Sequence, residues 1–184
     1  VNAAQSTPTP DWSALVWIAL GSNLGDSVQI IRQAMDRLEA LSTRPLLRSS
    51  LWLTSPVDCA PGTPPFVNAV VGLSPRPGET PESLLAALQL IERQFGRPAQ
   101  YRRHEPRVLD LDLLAFGAVV RSDPTLTLPH PRAHQRRFVL APLAEIAPDL
   151  VLPGQDRTVR ELLEQLASDE VVQRLDPVTP PQRP

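Results

Sequence analysis

From Val108 to Phe116 the chain reads VLDLDLLAF, and this alternation constrains the fold more than any other stretch. Successive side chains of a strand point to opposite faces. Leu109, Leu111 and Leu113 therefore share one face, and Asp110 and Asp112 share the other. Two carboxylates side by side repel, and taking them out of water is costly unless something cationic compensates. A divalent metal is the most economical compensation. Arg97, Arg102, Arg103 and Arg107 gather just upstream, which suggests a second, anionic component.

The rest of the chain supplies partners for this strand. Ala14 to Leu20 is a continuous apolar run, expected as a buried first strand. GSNLGD follows as a turn in which Asp26 or Ser27 caps a helix marked by Ile30, Ile31, Ala34, Leu38 and Leu41. Leu46 to Leu53 reads as a second strand and Phe66 to Leu73 as a third, paired with it. Thr80 and Pro81 open another helix, carried by Leu84, Leu85, Leu88, Ile91, Glu92 and Phe95 and ended by Gly96. The aperiodic stretch RPAQYRRHEPR is a loop, and loops of this length are often functional lids. The expected class is α+β, with a ferredoxin-like β-α-β-β-α-β core in which helices pack on an antiparallel sheet. Helices over 136–146 and 159–166 form a C-terminal helical extension. One domain is expected over 14–175, between flexible Pro-rich tails over 1–13 and 176–184.

Composition limits the partners. The 184 residues are 42% apolar and 21% charged, as in a globular protein. A net charge of −2 gives no bulk attraction to nucleic acid or an anionic membrane, so any anion site is local. The single cysteine, Cys59, excludes an internal disulfide and a Cys-rich metal site, and fits the cytoplasm. No apolar run approaches the ~18 residues that span a bilayer, and no secretion signal is legible at the N-terminus. A monomer is expected.

Each candidate residue also has an ordinary reading. D-x-D can be the solvated face of an edge strand. His130 can be a turn residue, Phe138 a core residue, and Arg132, Arg136 and Arg137 a solvated helix face. The cationic loop shifts the balance. Mg²⁺ typically takes one or two carboxylates plus phosphate oxygens and keeps water for the rest. Arginines then neutralise the outer phosphate oxygens. Two acids, a basic loop and no nucleophile suit phosphoryl transfer between small molecules. Asn68, in FVNAVV, shares a strand face with Phe66, and its amide matches the edge of a lactam-containing heterocycle. GSNLGD fits neither the P-loop nor the dinucleotide fingerprint, yet as a strand-to-helix turn it can line a pocket.

Six ordered segments carry a resemblance: IALGSNLGD, SSLWLTSPV, FVNAVV, IERQFGR, EPRVLDLDLLAFG and LTLPHPRAHQRRFVLAPLAEIAPDLVLP. On these the chain resembles the 6-hydroxymethyl-7,8-dihydropterin pyrophosphokinases of folate biosynthesis. The resemblance implies transfer of pyrophosphate from ATP to the pterin hydroxymethyl group, with release of AMP. It implies two Mg²⁺ ions held by Asp110 and Asp112, with Asp110 also facing the pterin. Arg97 and Arg107 match the loop arginines that assist transfer and contact ATP. Phe66 and Phe138 match the aromatics that sandwich the pterin, Asn68 the residue that reads its edge, and Thr54, Ser55 and Val57 the loop that adds hydrogen bonds. Ile91, Glu92, His130 and Arg136 match positions at the nucleotide. The chain departs from the family at His104-Glu105, where Trp-Gly is usual, at Pro131, where an aromatic is common, and at His134, where lysine is. Two rivals remain at this point: an RNA or small-molecule regulatory module on the same fold, and a D-x-D sugar-nucleotide transferase. Pterin-dependent release of AMP separates all three.

Overall fold

A computed structural model describes residues 11–97 and 106–175. The segments read as tails over 1–10 and 176–184, and Arg102, Arg103, His104 and Glu105, lie outside the described residues.

In chain order the elements are β1 (Val16–Ser22), α1 (Ser27–Glu39), β2 (Leu47–Arg48), β3 (Trp52–Thr54), β4 (Phe66–Leu73), α2 (Pro81–Gln94), β5 (Asp110–Phe116), β6 (Arg121–Ser122), β7 (Thr127–Leu128), α3 (Arg137–Ile146), α4 (Val159–Gln165) and β8 (Val172–Arg174). The main sheet runs β5-β1-β4-β3-β8, with β2 also on β4. Every pairing in it is antiparallel. This is an α+β fold.

Side-chain alternation divides the core in two. Ile18, Leu20, Val67, Ala69, Leu111 and Leu113 face one way and pack on α1 and α2 through residues such as Ile31, Leu38, Leu84 and Leu88. Trp17, Val70 and Leu114 face the other way and pack on Val139, Leu140 and Leu143 of α3. Each such aliphatic side chain contributes about 1.5–3 kcal/mol on burial, so both layers hold the sheet. Gly72 makes room on this second face: a Cβ there would stand 2.8 Å from the Trp17 ring. Trp12 stacks obliquely on Trp17 at 5.9 Å, within a segment read from sequence as tail.

The caps follow the sequence. Asp26 accepts the Gln29 amide at the start of α1. Thr80 closes a capping box with Ser83 at the start of α2, with Pro81 in the first turn. Other boundaries differ. The strand expected over 46–53 is broken at Ser49, whose hydroxyl accepts the Val70 amide at 2.9 Å in place of a ladder carbonyl. Glu145 of α3 then collects Ser50 and Trp52 Nε1. Gly21 and Ser22, expected in the turn, extend β1 because they pair with Asn68 and Val67. β5 begins at Asp110 rather than Val108. After β5 the expected helices are present as α3 and α4, but within the segment expected as loop β6 and β7 form a two-stranded ribbon, and β8 adds an edge to the main sheet. Among the described residues no helix is long and apolar enough to cross a membrane.

Candidate active site

The sheet register assembles the site. Gly21 of β1 stands between Asn68 of β4 and Asp110 of β5, and Ala19 stands beside Asp112. On the face toward α3, the centre of the sheet thus carries small residues, with an amide on one side and two acids on the other. The resulting cavity of about 290 Å³ is floored by Ala19 and Gly21. Glycine at position 21 is a packing requirement: a Cβ there would lie 2.8 Å from Asn68 Oδ1.

One end of the cavity suits a flat ring. Phe66, Asn68 and Phe138 line it together with Thr54, Ser55 and Val57. Asn68 is buried and donates through Nδ2 to Thr54 Oγ1 at 2.6 Å, so its orientation is fixed. Its Oδ1 and second N–H remain for another partner. The Ser55 amide already donates to the Val171 carbonyl at 2.9 Å, so Ser55 does not offer that group to a ligand.

The other end is ionic. Arg97 Nη1 donates to Asp110 Oδ1 at 3.0 Å, and Arg107 Nη1 to Asp110 Oδ2 at 2.7 Å. Arg136 lies 4.0 Å from Asp112 Oδ2. The Arg107 guanidinium sits 5.9 Å from the Phe66 ring centre, and that of Arg136 sits 5.4 Å from Phe138, both within cation–π range. Asn23 fixes Arg107 through its backbone. Its Oδ1 accepts the Arg107 amide at 2.8 Å, and its own amide donates to the Arg107 carbonyl at 3.1 Å.

Asp110 bonds directly to two arginines, while Asp112 faces Arg136 at the longer distance of 4.0 Å. Burial and then the charge of Asp110 push the Asp112 carboxyl up to about 6. Its side chain keeps 41% of its surface open, toward the cavity. Two same-face acids, one short of positive charge, fit a hard divalent cation. Among the described residues no group of three His, Cys, Asp or Glu could hold a metal ion, so water and phosphate oxygens would complete the shell.

His130 also lines the cavity. Its Nδ1 accepts the Arg132 amide at 3.2 Å, which places the ring proton on Nε2. Burial, then Arg136 and Arg132, push its pKa down to about 4 from 6.5. Between these values the unfolded chain binds the proton more tightly than the folded one. Stability from this group is therefore complete above pH 6.5 and is lost as pH falls through 4. The thermal midpoint should accordingly fall less steeply between pH 7 and pH 4 in His130→Asn than in the wild type. Equal slopes would remove His130 as a cause.

Of the residues expected here from sequence, Ile91 and Glu92 do not line the cavity. Helical periodicity turns both toward the sheet, and Ile91 joins the core. Glu92 is only 5% exposed, with its carboxylate accepting the Leu111 amide at 2.8 Å and pairing with Arg97. Ala19, Leu20, Gly21, Asp58, Cys59 and Arg132 line the cavity without having been expected there. Only Gly21 carried a sequence signal, as part of a strand-to-helix turn able to line a pocket.

A cavity lined by Phe66, Asn68 and Phe138 at one end and by arginine-bound acids at the other fits a transferase of phosphoryl groups. More narrowly, the chain belongs to the 7,8-dihydro-6-hydroxymethylpterin-pyrophosphokinase family, whose model matches residues 17–148. It is 38% identical over 161 residues to the 2-amino-4-hydroxy-6-hydroxymethyldihydropteridine pyrophosphokinase of Haemophilus influenzae, covering 88% of this chain and 98% of that one. It is 44% identical over 149 residues to the enzyme of the same name from Pseudomonas aeruginosa, covering 80% and 89%. The fold resembles the wild-type Plasmodium falciparum HPPK-DHPS structure with pteroate, with TM-score 0.63 at 14% identity. That match covers 82% of this chain and 42% of the longer one.

Proposed function

We propose that this cavity carries out the family reaction, transfer of pyrophosphate from ATP to 6-hydroxymethyl-7,8-dihydropterin, through the residues gathered on β4, β5 and the start of α3. The pterin lies between Phe66 and Phe138, with its edge on Asn68 and the loop from Thr54 to Val57 beside it. The pterin hydroxyl oxygen attacks the β-phosphorus of ATP. The bond from that phosphorus to the α–β bridging oxygen breaks, the hydroxyl proton is lost to solvent, and AMP leaves. Holding both substrates in one cavity supplies much of the acceleration.

Asp110 and Asp112 would hold Mg²⁺, two ions in this reading, which when bound neutralises phosphate charge and acidifies the attacking hydroxyl. Arg97 and Arg107 stabilise charge on the transferred group, and Arg136 and neutral His130 contact the nucleotide. Glu92 acts from behind by holding Arg97. The observation that carries this reading is the convergence of Arg97, Arg107 and Arg136 on the two aspartates, in the cavity that also holds Phe66, Asn68 and Phe138.

The strand order and the placement of α1 and α2 support a ferredoxin-like βαββαβ core, extended after β5 by two helices and an edge strand. We take residues 14–175 as one domain acting as a monomer in the cytoplasm, without nucleic-acid or membrane partners. The test is AMP formation from Mg-ATP with and without the pterin. Pterin-dependent AMP is expected. A folded protein that binds pterin but forms no AMP would reduce the site to a binding pocket.

A further inference from the structure

α3 begins without a cap of its own. Arg136 occupies the N-cap position and makes no side-chain bond to the first turn, where Ser, Thr, Asp or Asn is the common solution. A cation at that end also opposes the helix dipole. Arg136 lines the cavity and faces Asp112 instead. The missing acceptor comes from far along the chain: Glu170 Oε2 accepts the Phe138 amide at 3.0 Å. The turn before it is closed by the Glu170 amide on Ser168 Oγ at 3.1 Å.

The next residue ties a second part of the cavity. Val171 donates its amide to Ser55 Oγ at 3.0 Å, and its carbonyl accepts the Ser55 amide at 2.9 Å. β8 then continues the pairing along β3, from Thr54 beside Val172 to Trp52 beside Arg174. Ser55 and Phe138 both line the cavity, and they come from different elements. Two adjacent residues, Glu170 and Val171, therefore bind both.

We propose that residues 168–175 form a strap that fixes the β3 loop and the start of α3 relative to each other, and that Glu170 is a positioning residue for the pterin slot. This rests on the reading that Phe138 contacts the pterin. A carboxylate accepting from a helix N-terminal amide makes a charge-assisted bond and complements the dipole. Without it the first turn of α3 frays and Phe138 loses its fixed place. Glu170 does not itself line the cavity, though its charge also acts on Arg136 at the start of the same helix.

The test compares Glu170→Ala and Glu170→Gln with the wild type in the full chain, first by amide hydrogen exchange without ligand. Exchange across the first turn of α3 should speed up about tenfold in Glu170→Ala, as expected for loss of a cap. Unchanged exchange overturns the strap, whatever the protein binds. The pterin Kd should then rise about tenfold in Glu170→Ala, with kcat at saturating substrates within about twofold of wild type. Glu170→Gln keeps an acceptor oxygen and should restore most of both effects. Failure of Glu170→Gln to restore them, or an unchanged pterin Kd in Glu170→Ala, overturns Glu170 as a positioning residue. A wild type that binds no pterin while the exchange result holds refutes the proposed function and leaves the strap standing.

Discussion

Asp112→Asn is expected to lower kcat by about a thousandfold, the scale of losing one fixed electrostatic contact to a transition state. The amide keeps the shape of the carboxylate and removes its charge. Pterin affinity should stay within about twofold, because the proposed arrangement puts the ring at Phe66, Asn68 and Phe138 rather than at Asp112. Stability should move the opposite way. Burial and Asp110 raise the Asp112 pKa to about 6, so the stability this group contributes at low pH is lost as pH rises through that value. At pH 7 the ionised side chain is a burden on the metal-free fold. Its removal should raise the unfolding midpoint while activity falls, which separates a chemical defect from a folding defect. AMP release under saturating Mg-ATP and pterin, together with urea unfolding, reads both quantities. An unchanged kcat would refute Asp112 as a participant.

Glu92→Ala should cost about 2–3 kcal/mol of stability, the range for leaving a buried donor unpaired and weakening an ion pair. Glu92 is 5% exposed and accepts from the Leu111 amide while pairing with Arg97. Burial pushes its pKa up, against the Leu111 amide and Arg97, which hold it down. Glu92→Gln keeps an acceptor for Leu111 and should cost about 1 kcal/mol. Denaturant unfolding at pH 7 measures both losses. The KM for ATP should hardly change in Glu92→Gln, since the carboxylate lies behind Arg97. A large rise in that KM with unchanged stability would return Glu92 to the nucleotide, where the family resemblance placed it.

The aspartate pair was legible because alternation in VLDLDLLAF is a geometric statement, and β5 obeys it. Phe66 and Asn68 were legible on one face of FVNAVV for the same reason. The helix caps at Asp26 and Thr80 were legible because they are local. What was not legible depends on distance along the chain. Ser49 breaks a strand by bonding to Val70, and Glu145 reaches Ser50 and Trp52 from a helix 95 and 93 residues away. β8 has three residues, two of them polar, and becomes a strand only because the β3 edge is available. Glu92 was legible on the apolar side of its helix, but its partners, the Leu111 amide and Arg97, were not.

The two arginines on Asp110 have a consequence for how ligands enter. Both Asp110 oxygens already accept from an arginine, so a metal arriving there would share those oxygens or draw Arg97 or Arg107 away. In the proposed reaction, a guanidinium drawn away would meet a phosphate. Loading would thus be a change of partners, with the resting protein holding the place of the substrate it awaits.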